Sequence, residues 1–247
     1  MASAGGSLRD AWEEQAENWA TFARTGEIDN AFWLHNLPRF LELLPPAGRL
    51  TLDVGCGEGR LGRVLRAAGH RVVAVDGSPT MARFAAEAED SQSVVVADAA
   101  ALPVCDAVAD LGIAFMSLMD IDDLEQTIRE LGRVTVPGGR LCLAIVHPIN
   151  SAGRFDDETA ESPFTVTGSY LECHGYIDVA ERENVTVTFH SEHRPLEAYS
   201  RALEDAGFVI EAIREDAVDD EYAMRYPSIA RWQRVPLFLH LRAVRAG

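Results

Sequence analysis

A short apolar run, residues 49–54 (RLTLDV), ends on glycines at three alternate positions, Gly55, Gly57 and Gly59, and a helix-like stretch follows at 58–69. Alternate glycines leave the backbone free of Cβ atoms, so a ligand can lie against the peptide edges where the helix begins. A strand that turns directly into a helix commits the chain to a crossover, because the next parallel strand starts back at the other end of the sheet. The residues that follow agree. Further β-rich runs at 71–76, 93–97, 108–115 and 139–147 alternate with helix-like stretches at 79–89 and 121–135. Thr80, Met81, Phe84 and Ala85 share one helical face, as do Leu124, Thr127, Ile128 and Leu131, which gives each helix a side to bury. The pattern predicts a parallel sheet covered by helices on both faces.

Residues 8–24 and 30–43 read as two amphipathic helices ahead of this block, with Trp12, Trp19, Phe22, Trp33, Leu37 and Leu41 as apolar bodies; Pro45 and Pro46 end the second. Residues 148–194 are the least regular stretch, broken by Gly153, Pro163, Gly168 and Gly175. Two alternating runs there, 164–172 and 185–190, predict a small antiparallel insertion. A helix at 195–206, a strand at 208–214, a polar acidic loop at 215–226 and a last strand at 237–244 complete the chain.

The 39 acidic against 22 basic residues give a net charge of -17, which repels a phosphate backbone and makes nucleic acid an unexpected partner. No apolar run has the length of a membrane span and the first residues lack the form of a secretion signal, so a cytoplasmic protein is expected. Cys56, Cys105, Cys142 and Cys173 lie far apart and read as reduced, mostly buried thiols. His190, Glu192 and His193 share one extended segment and would point to opposite faces, so no metal is expected.

Two cofactor classes use such a glycine turn. Gly57, Gly59 and Gly62 satisfy G-x-G-x-x-G with Asp76 at a later strand end, as in a nicotinamide site, but Gly55 already occupies the place directly after the strand, so the match falls two residues late. A pyrophosphate there would also meet Asp53 and Glu58. A sulfonium-bearing zwitterion would not be repelled in this way. The motif Asp53-Val-Gly55-Cys-Gly57-Glu-Gly59 resembles the first motif of class I S-adenosylmethionine-dependent methyltransferases. Val75-Asp76, with Gly77 beside it, resembles the strand end whose acid holds both ribose hydroxyls in that family. Ala97-Asp98-Ala99 resembles the pair that reads adenine, Phe115-Met116-Ser117 the strand end that presents backbone to the cofactor's amino group, and 136–141 (VPGGRL) the turn before the fifth strand. The resemblance covers about residues 48–147.

It implies an α/β fold: a Rossmann-like seven-stranded mixed sheet of methyltransferase topology with an N-terminal helical cap and a small antiparallel lid. The whole chain, 1–247, is expected to be one domain, made of a cap at 1–47, a cofactor-binding core at 48–147, a lid at 148–194 and a C-terminal helix and strands at 195–247. The implied cofactor is S-adenosyl-L-methionine, held by Asp53, Gly55, Gly57, Gly59, Asp76, Gly77, Asp98, Ala99 and Phe115, with Trp19 placed to cover the sulfonium. The implied reaction is methyl transfer to an oxygen, nitrogen or carbon of a small, aromatic or apolar metabolite, of the kind found in secondary metabolism. A non-catalytic sensor of the same cofactor and a nicotinamide oxidoreductase remain as alternatives.

The family has no fixed catalytic set, because holding nucleophile and methyl in line supplies much of the catalysis and a base is needed only for an acceptor that carries a proton. No Asn-Pro-Pro-aromatic sequence follows the fourth strand, which makes adenine and glutamine-amide acceptors unexpected. His147, at the carboxyl end of the fifth strand, is a candidate base. Tyr170 is a second catalytic candidate in the lid, with His174 and Tyr176 near it. The oligomeric state stays open.

Overall fold

In the computed structural model, residues 6–24, 29–88, 93–182 and 185–247 are described; the last residue of the predicted 79–89 helix lies outside them. Two N-terminal helices, α1 (Leu8–Arg24) and α2 (Leu37–Leu43), precede the sheet. The predicted 30–43 helix begins as a π-helical turn, Phe32–Asn36, in which Leu37 N–H donates five residues back to Phe32 O. Pro38 has no amide to continue the ordinary ladder, so the backbone widens there.

The alternating block then runs β1 (Thr51–Val54), α3 (Arg60–Ala67), β2 (Val72–Asp76), α4 (Pro79–Glu87), β3 (Ser93–Val96), β4 (Ala109–Phe115), α5 (Leu124–Val134) and β5 (Thr135–Val146). After it come α6 (Pro148–Ser151), β6 (Gly153–Phe155), β7 (Phe164–Val166), β8 (His174–Arg182), β9 (Val185–His193), α7 (Leu196–Asp205), β10 (Phe208–Arg214), α8 (Asp220–Arg225) and β11 (Phe238–Arg245). Seven strands form one sheet in the order β10-β11-β5-β4-β1-β2-β3. β3, β2, β1, β4 and β5 are mutually parallel, whereas β11 runs antiparallel to both β5 and β10.

All four residues of β1 are buried, as a strand covered on both faces requires. One core packs β1, β4 and β5 against α5 and α7 through Leu52, Ile128, Leu131, Leu143 and Leu203. The other packs the opposite face against α2 and α3 through Phe40, Leu61, Leu65 and Ile113. Sequence neighbours β1 and β2 pair on one side of β1, and β4 pairs on the other. The order therefore reverses at β1, and the chain leaves β1 for α3 on one face and β4 for α5 on the other, which opens a crevice of the kind that holds ligands in open α/β sheets.

Three expectations need correction. The strand predicted at 139–147 starts at Thr135, and its pairing with β4 shifts register between Ala109 and Leu111. Gly138, with φ at +78°, bends the strand through that irregularity. The expected antiparallel insertion is present as two hairpins: β7 pairs with β6, and β9 pairs with β8. The acidic stretch 215–226 is not a plain solvated loop, because Asp219 caps α8 by accepting from Tyr222 N–H and both Val218 and Tyr222 are buried. Only two thiols are buried, Cys56 and Cys142, while Cys105 and Cys173 are exposed; all four are free. No helix among the described residues is long and apolar enough to cross a membrane.

Candidate active site

The glycine turn is held from inside the protein. Gly55 N–H and Cys56 N–H donate to Val75 O at 2.8 and 3.1 Å, Gly57 N–H to Asp76 Oδ2 at 2.7 Å, and Gly59 N–H to Cys56 O at 3.1 Å. These amides are therefore engaged before any ligand arrives. Gly55 has φ at +73°, and a Cβ built on it would lie 2.3 Å from that of Ser117. Its bare α-carbon lets Ser117 Oγ reach across and donate to Val54 O at 2.8 Å, which ties the ends of β1 and β4 together.

A cavity of about 440 Å³ opens over these strand ends. Among the expected cofactor residues, Asp53, Gly55, Gly57, Asp76, Gly77, Asp98, Ala99, Phe115 and Trp19 all line it. Gly59 does not; it stands one step back as the left-handed residue, φ +86°, from which α3 starts. Trp19 hangs from α1 over the turn, its Nε1 3.4 Å from where a Gly57 Cβ would lie, and stacks on Phe22.

The carboxylates at the strand tips sit in a water-poor setting. Asp53 is 1% exposed, and burial together with the neighbouring Asp76 pushes its pKa up to about 7. Its Oδ2 has no hydrogen-bond partner although it is buried beside the cavity. Burial also raises Asp76, against the amide hydrogen bonds it accepts from Ser78 and Gly57.

Neither residue expected to be catalytic lines the cavity. His147 caps α6: Ile149 N–H donates to its Nδ1 at 3.0 Å, so the proton sits on Nε2, which donates to Glu215 Oε1 at 2.7 Å. The ring has no lone pair left for a substrate proton, and burial lowers its pKa further, against the pull of Glu215. Tyr170 accepts from Leu196 N–H through its hydroxyl at 3.2 Å, and its carbonyl accepts from His193 Nε2 at 2.9 Å. It fastens the start of α7.

The cavity instead gathers residues that the motifs did not mark. Asn36 from the π-helical turn, Asp120 from the 3-10 turn Leu118–Asp120, and Asp178, Phe189 and Ser191 from the β8–β9 hairpin all face it, beside Tyr176. Arg60 donates to Asp29 at 2.6 Å and lies 3.6 Å over the Phe32 ring, closing one end of the wall. None of these carries a local signal. They meet only because α1, the π-helical turn and the hairpin fold over the same sheet edge.

Residues 52–143 match the family model of a methyltransferase domain. Over that stretch, little more than a third of the chain, the sequence is similar to a methyltransferase domain. A malonyl-[acyl-carrier protein] O-methyltransferase from Pseudescherichia vulneris is 42% identical over 89 residues, which are 36% of this chain and 36% of that protein. The chain thus spans little more than a third of the length of that curated relative. The fold extends further than the sequence likeness. An S-adenosylmethionine-dependent methyltransferase structure from Mesorhizobium loti superposes with a TM-score of 0.70 at 24% identity, covering 87% of this chain and 98% of that one. The [4+2]-cyclase SpnF superposes with a TM-score of 0.64 at 19% identity, covering 99% of this chain and 98% of that one. A cyclase and a methyltransferase on one fold show that the reaction must be argued from the site.

Proposed function

We propose that the protein transfers the methyl group of S-adenosylmethionine to a nucleophilic atom of a small, largely apolar or aromatic molecule. The observation that carries this is the division of labour at the strand tips. The turn amides of Gly55, Cys56, Gly57 and Gly59 are engaged within the protein, while the carboxyl groups of Asp53, Asp76 and Asp98 border the cavity. Such a wall accepts hydrogen bonds and disfavours phosphate, which suits a nucleoside with a diol, an amine and a positive charge and tells against a dinucleotide.

On this reading Asp76 accepts from the ribose hydroxyls, Asp98 and Ala99 contact the adenine, and the bare edges of Gly55 and Gly57 flank the amino-acid portion. The buried, unpartnered Asp53 Oδ2 fits a cationic group nearby, directly or through water. When bound, S-adenosylmethionine supplies an electrophilic methyl carbon, which bonds to the nucleophile as its bond to sulfur breaks and the electron pair stays on sulfur. The protein's part is to hold the acceptor in line and to keep water out. Trp12 and Trp19 from α1 and Phe189 from β9 make contacts that close the cavity from above, with ring centroids 5.8 to 6.0 Å apart. A volume of about 440 Å³ lies in the range of small-molecule pockets.

Calorimetry with S-adenosylhomocysteine tests cofactor binding, and incubation with methyl-labelled cofactor and a metabolite extract tests transfer. Tight binding with labelled product is expected. Tight binding with no labelled product from any extract would make the protein a sensor instead.

A further inference from the structure

Past the strand tips, the wall of the cavity becomes acidic and phenolic. Met116, a non-glycine residue with φ at +53°, turns the chain sharply after β4, and the 3-10 turn that follows carries Asp120 into the wall. Asp120 Oδ1 accepts from Ser191 Oγ of β9 at 2.6 Å. Ser191 is paired directly with Tyr176 across the β8–β9 hairpin, so hydroxyl and phenol stand on the same face, and Asp178 follows two residues on, on that face too. All four line the cavity.

Acids outnumber cations among the side chains that line the cavity, and the charge of Arg9 bears on Asp76 and Glu13. Of the lining side chains seven are carboxylic and two are guanidinium, Arg9 and Arg60, and Arg60 is already paired with Asp29. Arg194 lies behind Asp120, but its guanidinium donates to the carbonyls of Leu118, Ile121 and Asp122 and to Glu192. A carboxylate acceptor entering this space would meet the carboxyl groups of Asp120 and Asp178. A protonated amine would find a carboxyl group already oriented by Ser191, and its positive charge favours the ionised form of that group.

We propose that Asp120 is a catalytic residue, and that the methyl acceptor carries a basic amine which Asp120 holds as its ammonium ion and relieves of one proton. In that step one N–H bond breaks, its electron pair stays on nitrogen as the nucleophile, and the proton forms an O–H bond on the carboxyl. Methylation returns the positive charge to nitrogen, and the carboxyl later loses its proton to water. Burial makes Asp120 a stronger base than an ordinary carboxylate, lifting its pKa to about 8, against the Ser191 hydrogen bond and the Arg194 charge. The other groups that bear on it are the phenols of Tyr176 and Tyr199.

The inference rests on the methyl-transfer reading, and binding measurements separate the two. Protein saturated with S-adenosylhomocysteine is titrated calorimetrically with 2-phenylethylamine, 2-phenylethanol and 3-phenylpropionate, aromatic probes of similar size that differ in charge. The amine is expected to bind at least about 10-fold more tightly than the carboxylate. Asp120→Asn is expected to weaken the amine by about 10- to 100-fold while leaving the alcohol and S-adenosylhomocysteine unchanged. Ser191→Ala, which keeps the carboxylate but removes the group that orients it, is expected to give a smaller loss. Carboxylate binding equal to or tighter than the amine, no amine binding, or unchanged amine affinity in Asp120→Asn would each overturn the role of Asp120 while cofactor binding stands. Failure of wild-type protein to bind S-adenosylhomocysteine would overturn the methyl-donor reading as well.

Discussion

A Cβ on Gly55 would sit 2.3 Å from that of Ser117 while φ is held at +73°, so alanine there meets a clash and a strained backbone together. Gly55→Ala is expected to lower stability by about 2 to 4 kcal/mol, read from the shift in a urea midpoint. Asp53 leaves a different signature. Its folded pKa of about 7 lies above the ordinary 3.8, so the folded state keeps a proton that the unfolded chain has lost across that interval. Stability contributed by the neutral form is complete below about pH 4 and falls as pH rises toward 7. Asp53→Asn, which cannot ionise, is expected to flatten that fall by an amount on the order of a few kcal/mol, measured as the difference between the two pH–stability curves. Residues such as Gly55, Gly57 and Asp76 were legible in the sequence because turn geometry imposes a fixed local spacing. Asp120 and Ser191 were not, because 71 residues separate them and only the hairpin's return to the sheet edge brings them together.

At the scale of elements, Glu13 joins the first helix to the cofactor-side turn. From α1 it accepts from the hydroxyl of Ser78, from Thr80 Oγ1 at 2.7 Å and from Thr80 N–H at 3.2 Å, at the very start of α4. Burial works against ionisation of Glu13, but the hydrogen bonds from Ser78 and Thr80 outweigh it and hold the pKa below the usual glutamate range. Its stabilising contribution is therefore present above the unfolded value of 4.5 and is lost as pH falls through the lower folded value. Glu13→Ala is expected to detach α1, seen as faster hydrogen exchange of amides 8–24 with little change in β1 and β4. The central parallel strands were readable because burial on both faces writes a continuous apolar run into each. The antiparallel insertion was readable but its division into two hairpins was not, because the alternation is weak: Ile177 and Val179 are more than 60% exposed, so the apolar positions of β8 do not mark its inner face.

For the molecule as a whole, three separate stretches of chain converge on one cavity: the strand tips, α1 with the π-helical turn, and the β8–β9 hairpin. α1 meets the hairpin through Trp12, Trp19, Phe22 and Phe189, and the hairpin meets the sheet edge through Ser191 and Asp120. A ligand seated in that space touches all three, so its binding free energy must appear in the opening equilibrium of each. S-adenosylhomocysteine at 100 times its dissociation constant is expected to raise the unfolding free energy by about 2.7 kcal/mol. Hydrogen exchange measured under the same conditions is expected to slow in α1 and in β8–β9 as well as at the ends of β1 and β2. Protection confined to the strand tips would mean that the helices and hairpin pack over the cavity without gripping what lies in it. Protection of all three would make cofactor occupancy the event that fixes the acceptor wall, since Asp120 is oriented by a hydroxyl the hairpin delivers.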